Sequence, residues 1–302
     1  MRRLLPVLLM LAACMGTPED PHKDGTDSKA KAPPAVVSIG DLAGPESALY
    51  DADQDVYFIS NINGGLLDRD NNGFISRVDA KTMKVNLQWI AGGKNNVTLD
   101  GPKGMAIVGD TLYVSDVTAV RKFNRKTGEA QGEIALPGAT LINDLATDGH
   151  NVFVSDTGVM AGPGQSFKPT NTDAIWEITN DQPKKIASGT DLEQPNGLDV
   201  VDGKLWVVTF GGNELYELDG GKKTHVTKLP NRQLDGLVRL DDGSFLVSSW
   251  YASAVFRGKA GGDFKPILQS INTPADLGYD TRRHLLLVPN STDNHVTLHP
   301  VK

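Results

Sequence analysis

Six times along this 302-residue chain a short apolar stretch opens, and a second stretch of the Leu-Tyr-Val-Ser-Asp type begins nine or ten residues later. The openings are Glu46, Lys103, Asn143, Asn196, Asp235 and Ala275. The second stretches start at Val56, Leu112, Val152, Leu205, Phe245 and Leu285. A register held this tightly is an internal repeat of about 39–57 residues. A repeat of that length built only from strands specifies a β-propeller, in which equivalent residues of every blade meet around one axis. The six opening residues are therefore expected to form one ring.

The expected fold is all-β, a six-bladed β-propeller. The third repeat serves as a template, with strands over 143–146, 152–156, 174–179 and 184–187 and an Asp148-Gly149 turn. The fourth and fifth repeats follow it, and their Asp202-Gly203 and Asp242-Gly243 pairs supply the positive-φ positions of tight hairpins. The sixth repeat has strands over 285–288 and 295–300 and then stops one strand short. Residues 35–39 can supply that strand, completing the last blade and leaving no open edge. The alternative is an N-terminal arm. Two long connections, 61–72 and 157–173, fall on the face where the innermost strands begin. With Gly64, Gly65, Gly162 and Gly164 they read either as lids or as surface loops. Trp206 and Trp250 read as inter-blade core.

The first 34 residues are of another kind. Arg2 and Arg3 precede an apolar run over 4–13, then Leu11-Ala12-Ala13-Cys14. This resembles the bacterial lipobox and implies a signal peptide over 1–13 with Cys14 lipidated, the alternative being an ordinary signal peptide. Cys14 is the only cysteine, so it has no partner for an internal disulfide. Residues 14–34 are charged and Pro-rich and read as a flexible tether, followed by the propeller over 35–302. By resemblance to Gram-negative lipoproteins, Met15 rather than Asp after the cysteine implies outer-membrane sorting, facing the periplasm. Membrane contact is expected through the lipid on Cys14 alone. A net charge of −7 argues against nucleic acid. A monomer is expected.

The ring residues carry a family likeness. Pro45-Glu46-Ser47, Asn143-Asp144, Pro195-Asn196-Gly197-Leu198 and Leu234-Asp235-Gly236 sit in blades 1, 3, 4 and 5. In that order they resemble the senescence marker protein/gluconolactonase/luciferin-regenerating-enzyme-like family, and the chain looks closest to an uncharacterised bacterial lipoprotein branch of it. The resemblance covers about residues 35–302. It implies one divalent cation on the axis held by Glu46, Asn143, Asn196 and Asp235. It also implies Asp235 as general base. Two positions depart from the pattern. Leu141 stands where lactonases of the family often carry an arginine for substrate hydroxyls, and Lys103 takes the blade-2 ring position. Both bear on the sugar-lactone substrate more than on the metal.

Two carboxylates and two side-chain amides form an all-oxygen donor set. Such a set suits Ca²⁺ first, with Mg²⁺, Mn²⁺ or Zn²⁺ as alternatives. A cation there would polarise an ester or lactone carbonyl and acidify bound water. Lys103 would bind an anionic substrate group or stabilise the oxyanion. The competing reading has Lys103 ion-paired to Glu46 and Asp235, plugging the axis without metal. The expected activity is therefore divalent-metal-dependent hydrolysis of a small lactone or ester. The alternative is a non-catalytic NHL-like propeller presenting its loop face to an envelope ligand or partner protein.

Other chemistry is weaker. Residues 68–79, Asp68-Arg69-Asp70-Asn71-Asn72-Gly73 and onward to Asp79, match EF-hand spacing but lack flanking helices. Asp144, Asp199 and Asp276 follow ring positions closely and read as supports or backbone acceptors rather than site residues. No nucleophile elbow or His-Glu-x-x-His is present.

Overall fold

The computed structural model describes residues 37–162 and 166–301. Runs such as 56–61 and 245–249 are mostly β-branched, aromatic and small residues, and they are buried on both faces. A strand covered from both sides needs that composition, since neither face meets water. The chain begins with β1 (Val37–Ile39). Blade 1 is β2 (Pro45–Asp51), β3 (Val56–Asn61), β4 (Phe74–Asp79) and β5 (Val85–Ala91). Blade 2 is β6 (Pro102–Val108), β7 (Thr111–Asp116), β8 (Ala119–Asn124) and β9 (Ala130–Ala135). Blade 3 is β10 (Ile142–Thr147), β11 (Val152–Asp156), β14 (Ala174–Thr179) and β15 (Gln182–Ser188), with a small hairpin, β12 (Val159–Ala161) and β13 (Phe167–Pro169), inserted. Blade 4 is β16 (Pro195–Val201), β17 (Lys204–Thr209), β18 (Glu214–Asp219) and β19 (Lys222–Lys228). Blade 5 is β20 (Leu234–Arg239), β21 (Phe245–Ser249), β22 (Ala254–Gly258) and β23 (Lys265–Gln269). Blade 6 is β24 (Gly278–Asp280), β25 (Leu285–Asn290) and β26 (His295–Pro300).

The ring closes as expected from the strand count. β1 pairs antiparallel with β26, matching Val37 to Leu298, Ser38 to Thr297 and Ile39 to Val296. Ile39 is buried against Tyr57, Leu287 and Val296, so closure also fills the seam between blades 6 and 1. The signal peptide, Cys14, the tether, residues 35 and 36 of the closing segment and Gly164 lie outside the described residues. The core is distributed: six buried apolar clusters each join two adjacent blades.

The innermost strands share one irregularity. In blade 1 the register steps from Pro45↔Asn61 to Ala48↔Ile59, so Glu46 and Ser47 together face Ser60. The same step places 103–104 opposite 115, 143–144 opposite 155, 196–197 opposite 208 and 235–236 opposite 248. These are β-bulges, which kink a strand and re-aim its side chains. A serine of the second strand pins four of them. Ser60 Oγ accepts from the Ser47 amide (2.8 Å), Ser155 Oγ from Asp144 (2.9 Å) and Ser248 Oγ from Gly236 (2.7 Å). Ser115 Oγ donates to the Gly104 carbonyl at 3.3 Å and to the Asn143 carbonyl of the next blade.

The second bulge position is glycine in blades 2, 4 and 5 for a spatial reason. A Cβ on Gly197 would collide with the Asp235 carbonyl oxygen, and one on Gly236 with the Leu277 amide. The Asn-Gly and Asp-Gly pairs of the ring thus mark close approach of neighbouring blades, not turns. Gly197→Ala is expected to lower unfolding free energy by about 1–3 kcal/mol, the usual range for overpacking. Gly40→Ala, where nothing lies within 4 Å, should leave it unchanged. Chemical denaturation of both variants checks this.

Candidate functional site

In blades 1, 3, 4 and 5 the bulge aims the first residue of its pair at one small pocket on the axis. Glu46, Asn143, Asn196 and Asp235 all line it, from four different blades. Their exposures are 2, 7, 1 and 1%, so the donors are withdrawn from solvent. The pocket has about 10 Å³ of free space, the room of a single water-sized sphere.

The donor atoms are unusually placed for buried groups. Glu46 Oε2, Asn196 Oδ1 and Asp235 Oδ1 have no hydrogen-bond partner in the protein. Buried polar atoms are nearly always satisfied, and each such oxygen is costly to leave bare. The amides are turned so that nitrogen is occupied elsewhere. Asn196 Nδ2 donates to the Leu234 carbonyl (3.3 Å), and Asn143 Nδ2 donates to Thr157 Oγ1 (3.2 Å). Oxygens are thus what the four side chains have left to offer, and that set fits a hard divalent cation. Among the described residues no three His, Cys, Asp or Glu side chains form a metal-holding group, in keeping with a pair of carboxylates completed by amides.

Charge in the pocket is unbalanced. Burial pushes the Glu46 carboxyl well up, Asp235 and Asp276 push it further, and Lys103 pulls it back. Burial also raises Asp235 strongly, reinforced by Asp276 and opposed by the side chains of Trp250 and Asn196. Two acids in so dry a place need protons or a counter-charge.

Lys103 does not take the place expected of it. Its side chain is fully buried, and Nζ donates to the Gly101 carbonyl at 2.7 Å. It does not line the pocket, and among the described residues it has no ion pair within 4 Å of Glu46 or Asp235. The geometry therefore gives neither a substrate contact nor a salt-bridged plug. Burial lowers its pKa, while the Glu46, Asp116 and Asp100 carboxylates raise it. Ala275, the sixth ring position, is buried and contributes only backbone.

Below the ring the second bulge residues face a larger axial cavity of about 370 Å³, which Ser47, Asp144, Asp199 and Asp276 help to line. Asp144 accepts from the Leu198 and Leu145 amides (both 2.7 Å), Asp276 from Ser47 Oγ (2.5 Å) and Asp199 from the Arg239 amide (2.8 Å). They are backbone and strand-to-strand ties, as their positions at strand starts implied. Burial raises all three, Asp276 to about 7 and Asp199 to about 6.

Above the ring the pocket is roofed by apolar side chains. Leu66 comes from the β3–β4 connection, and Val159 and Phe167 from the inserted hairpin. Phe210 and Trp250 complete it, with Phe210 edge-on to both Phe167 (5.8 Å) and Trp250 (5.4 Å). Both long connections thus reach the site. Trp206 is inter-blade core beside Phe245, as expected, but Trp250 is half-buried and faces the site. The missed residues had a signal. Thr157, Phe210 and Trp250 each follow the last residue of a second strand, one register position repeated in blades 3, 4 and 5. The EF-hand spacing is not realised. Asp79 ends β4, remote from Asp68, and caps the next turn by accepting from the Lys81 and Thr82 amides.

No protein-family model and no curated protein sequence matches the chain. Solved structures do. A gluconolactonase from Xanthomonas campestris superposes with a TM-score of 0.64 at 16% identity, over 87% of this chain and 89% of that one. A luciferin-regenerating enzyme gives 0.63 at 10% identity, over 87% and 95%. Virginiamycin B lyase from Staphylococcus aureus gives 0.61 at 12% identity, over 89% and 99%. At these identities the likeness is one of fold, a six-bladed propeller of the gluconolactonase and luciferin-regenerating-enzyme type.

The lower cavity yields a pH prediction. Asp199 has a folded pKa of about 6, above the ordinary carboxylate range of about 4 that it has when unfolded. The native state then binds the extra proton, and stability falls as pH rises from about 4 through 6. Asp199→Asn should be the more stable protein at neutral pH, by up to about 3 kcal/mol. The gap should open above about pH 4 and level off above about pH 6. Urea unfolding across that range measures it.

Proposed function

We propose that the protein is a divalent-metal-dependent hydrolase of lactones or related esters, with the cation held on the propeller axis by Glu46, Asn143, Asn196 and Asp235. The observation that carries this reading is the trio of bare, buried oxygens on Glu46, Asn196 and Asp235 around a void of single-ion size. Calcium is the first choice, since an irregular all-oxygen set of carboxylates and amides suits it. The bound cation would supply Lewis-acid polarisation of the substrate carbonyl and a more acidic water.

The chain's own residues supply the rest. Asp235 is assigned as general base, the role its ring position implies by the family likeness, because it is a carboxylate that lines the pocket and keeps one oxygen without a partner in the protein. Water oxygen bonds to the acyl carbon, its proton passes to Asp235, the acyl–oxygen bond breaks, and that proton goes to the departing alkoxide. Thr157 holds Asn143 with its oxygen toward the pocket, accepting from Nδ2 while donating to the Pro195 carbonyl (3.0 Å). Leu66, Phe167 and Trp250 exclude bulk water. Lys103 is assigned an electrostatic role beside Glu46 in place of a substrate contact. The N-terminal lipobox-like run sets the proposed location, the cell envelope, through lipid on Cys14.

Purified protein is expected to carry one equivalent of calcium by elemental analysis. Chelation should lower the melting temperature and abolish lactone hydrolysis. Asp235→Asn should reduce kcat/KM by at least about 10²-fold, the usual scale for removing a general base. A metal-free protein with no turnover of any lactone would leave the binding-propeller reading in its place. For the location, Cys14→Ser should move the protein from the membrane pellet to the soluble fraction.

A further inference from the structure

The roof over the ring opens into an outer cavity of about 450 Å³. Leu66, Phe167 and Trp250 line both spaces and form the partition between them. Among the described residues both linings lack lysine, arginine and histidine. In the inner pocket the polar side-chain groups are the four ring donors, the Trp250 indole N–H, which acts on the Asp235 carboxyl, and Thr157, whose hydroxyl is already engaged by Asn143 and the Pro195 carbonyl. In the outer cavity Ile62, Leu67 and Ala161 extend the apolar wall. Its polar side chains are Ser166, Ser291 and Asp68, whose Oδ2 is tied to the Gly65 amide (2.8 Å).

This wall discriminates by polarity. A polyhydroxylated ring in the outer cavity would lose water from each hydroxyl and meet a wall in which only Asp68, Ser166, Ser291 and the Trp250 indole carry polar side-chain atoms, a net cost wherever a hydroxyl faces the apolar remainder. An alkyl or aryl substituent gains with every carbon it buries. We propose that the substrate is a lactone or ester bearing an apolar alkyl or aryl substituent. Its carbonyl would turn toward the cation that the ring oxygens would hold, and its apolar part displaces Phe167 from the partition and lies in the outer cavity. This rests on the hydrolase reading for the carbonyl end alone; the apolar end follows from the lining. Phe167 sits on a short hairpin whose strands pair over only three residue pairs, so its displacement disturbs no blade.

The test uses the full chain with calcium and a series of γ-lactams of lengthening alkyl chain, ring amides that resist hydrolysis. Calorimetric affinity should tighten about fourfold per methylene until the cavity is filled. The matching lactones should show the same slope in kcat/KM, and gluconolactone should not compete. Phe167→Ala and, independently, Leu66→Ala should flatten the slope. Lactam binding with that slope but no lactone turnover would uphold the apolar ligand and remove the hydrolase reading. Turnover with no chain-length dependence, or with sugar lactones preferred, would overturn the apolar substrate and leave the hydrolase standing. Absence of lactam binding at every chain length would also overturn it.

Discussion

The β-bulge at the head of each innermost strand is the constraint on which the site depends. A regular strand points consecutive side chains to opposite faces, so it presents only every second residue to the axis. The extra residue breaks that alternation. It sends Glu46, Asn143, Asn196 and Asp235 to a pocket above and Ser47, Asp144 and Asp276 to a cavity below. The second-strand serines hold the bulged amides that the ladder leaves unpaired, which is where backbone donors of a kinked strand must find a partner. Two of these hydroxyls also reach the next blade, Ser115 to the Asn143 carbonyl and Ser248 to the Ala275 carbonyl. Local distortion and blade-to-blade registration are therefore one device.

That device concentrates negative charge. Glu46 and Asp235 lie in the ring, Asp144 and Asp276 below it, and burial raises each of them. The lower pair is satisfied by amides, a hydroxyl and a raised proton affinity. The upper pair is not, since each of its carboxyls keeps a bare oxygen. Lys103 offsets Glu46 from a distance but is turned to Gly101. A packed protein rarely leaves such atoms bare without use for them. This contrast between two tiers of the same strands separates structural carboxylates from those available to a ligand.

The roof has a different origin. Its side chains come from connections and from the residue after each second strand, positions under no repeat constraint beyond reaching the axis. There the chain is free to vary, and it places Leu66, Phe167, Phe210 and Trp250 over the pocket. A propeller scaffold accommodates such variation because the blades bury their own cores in pairs and owe nothing to the loops above them.

Repeat spacing alone determined the strand-only fold, the six blades, the need for a closing strand and the six positions of the ring, because each depends on a periodicity that survives projection onto one dimension. The spacing also marked both long connections as neighbours of the site. It could not show that Asn-Gly and Asp-Gly at the ring are bulge glycines, since only the approach of the next blade excludes a Cβ there. Nor could it separate Trp250 from Trp206, which occupy different positions of similar strands and face different neighbours. The turning of Lys103 toward Gly101 and the bareness of the three oxygens were decided in three dimensions. Both are outcomes of what remains to bond with once strands from separate blades have packed, a quantity that no local stretch of the chain contains.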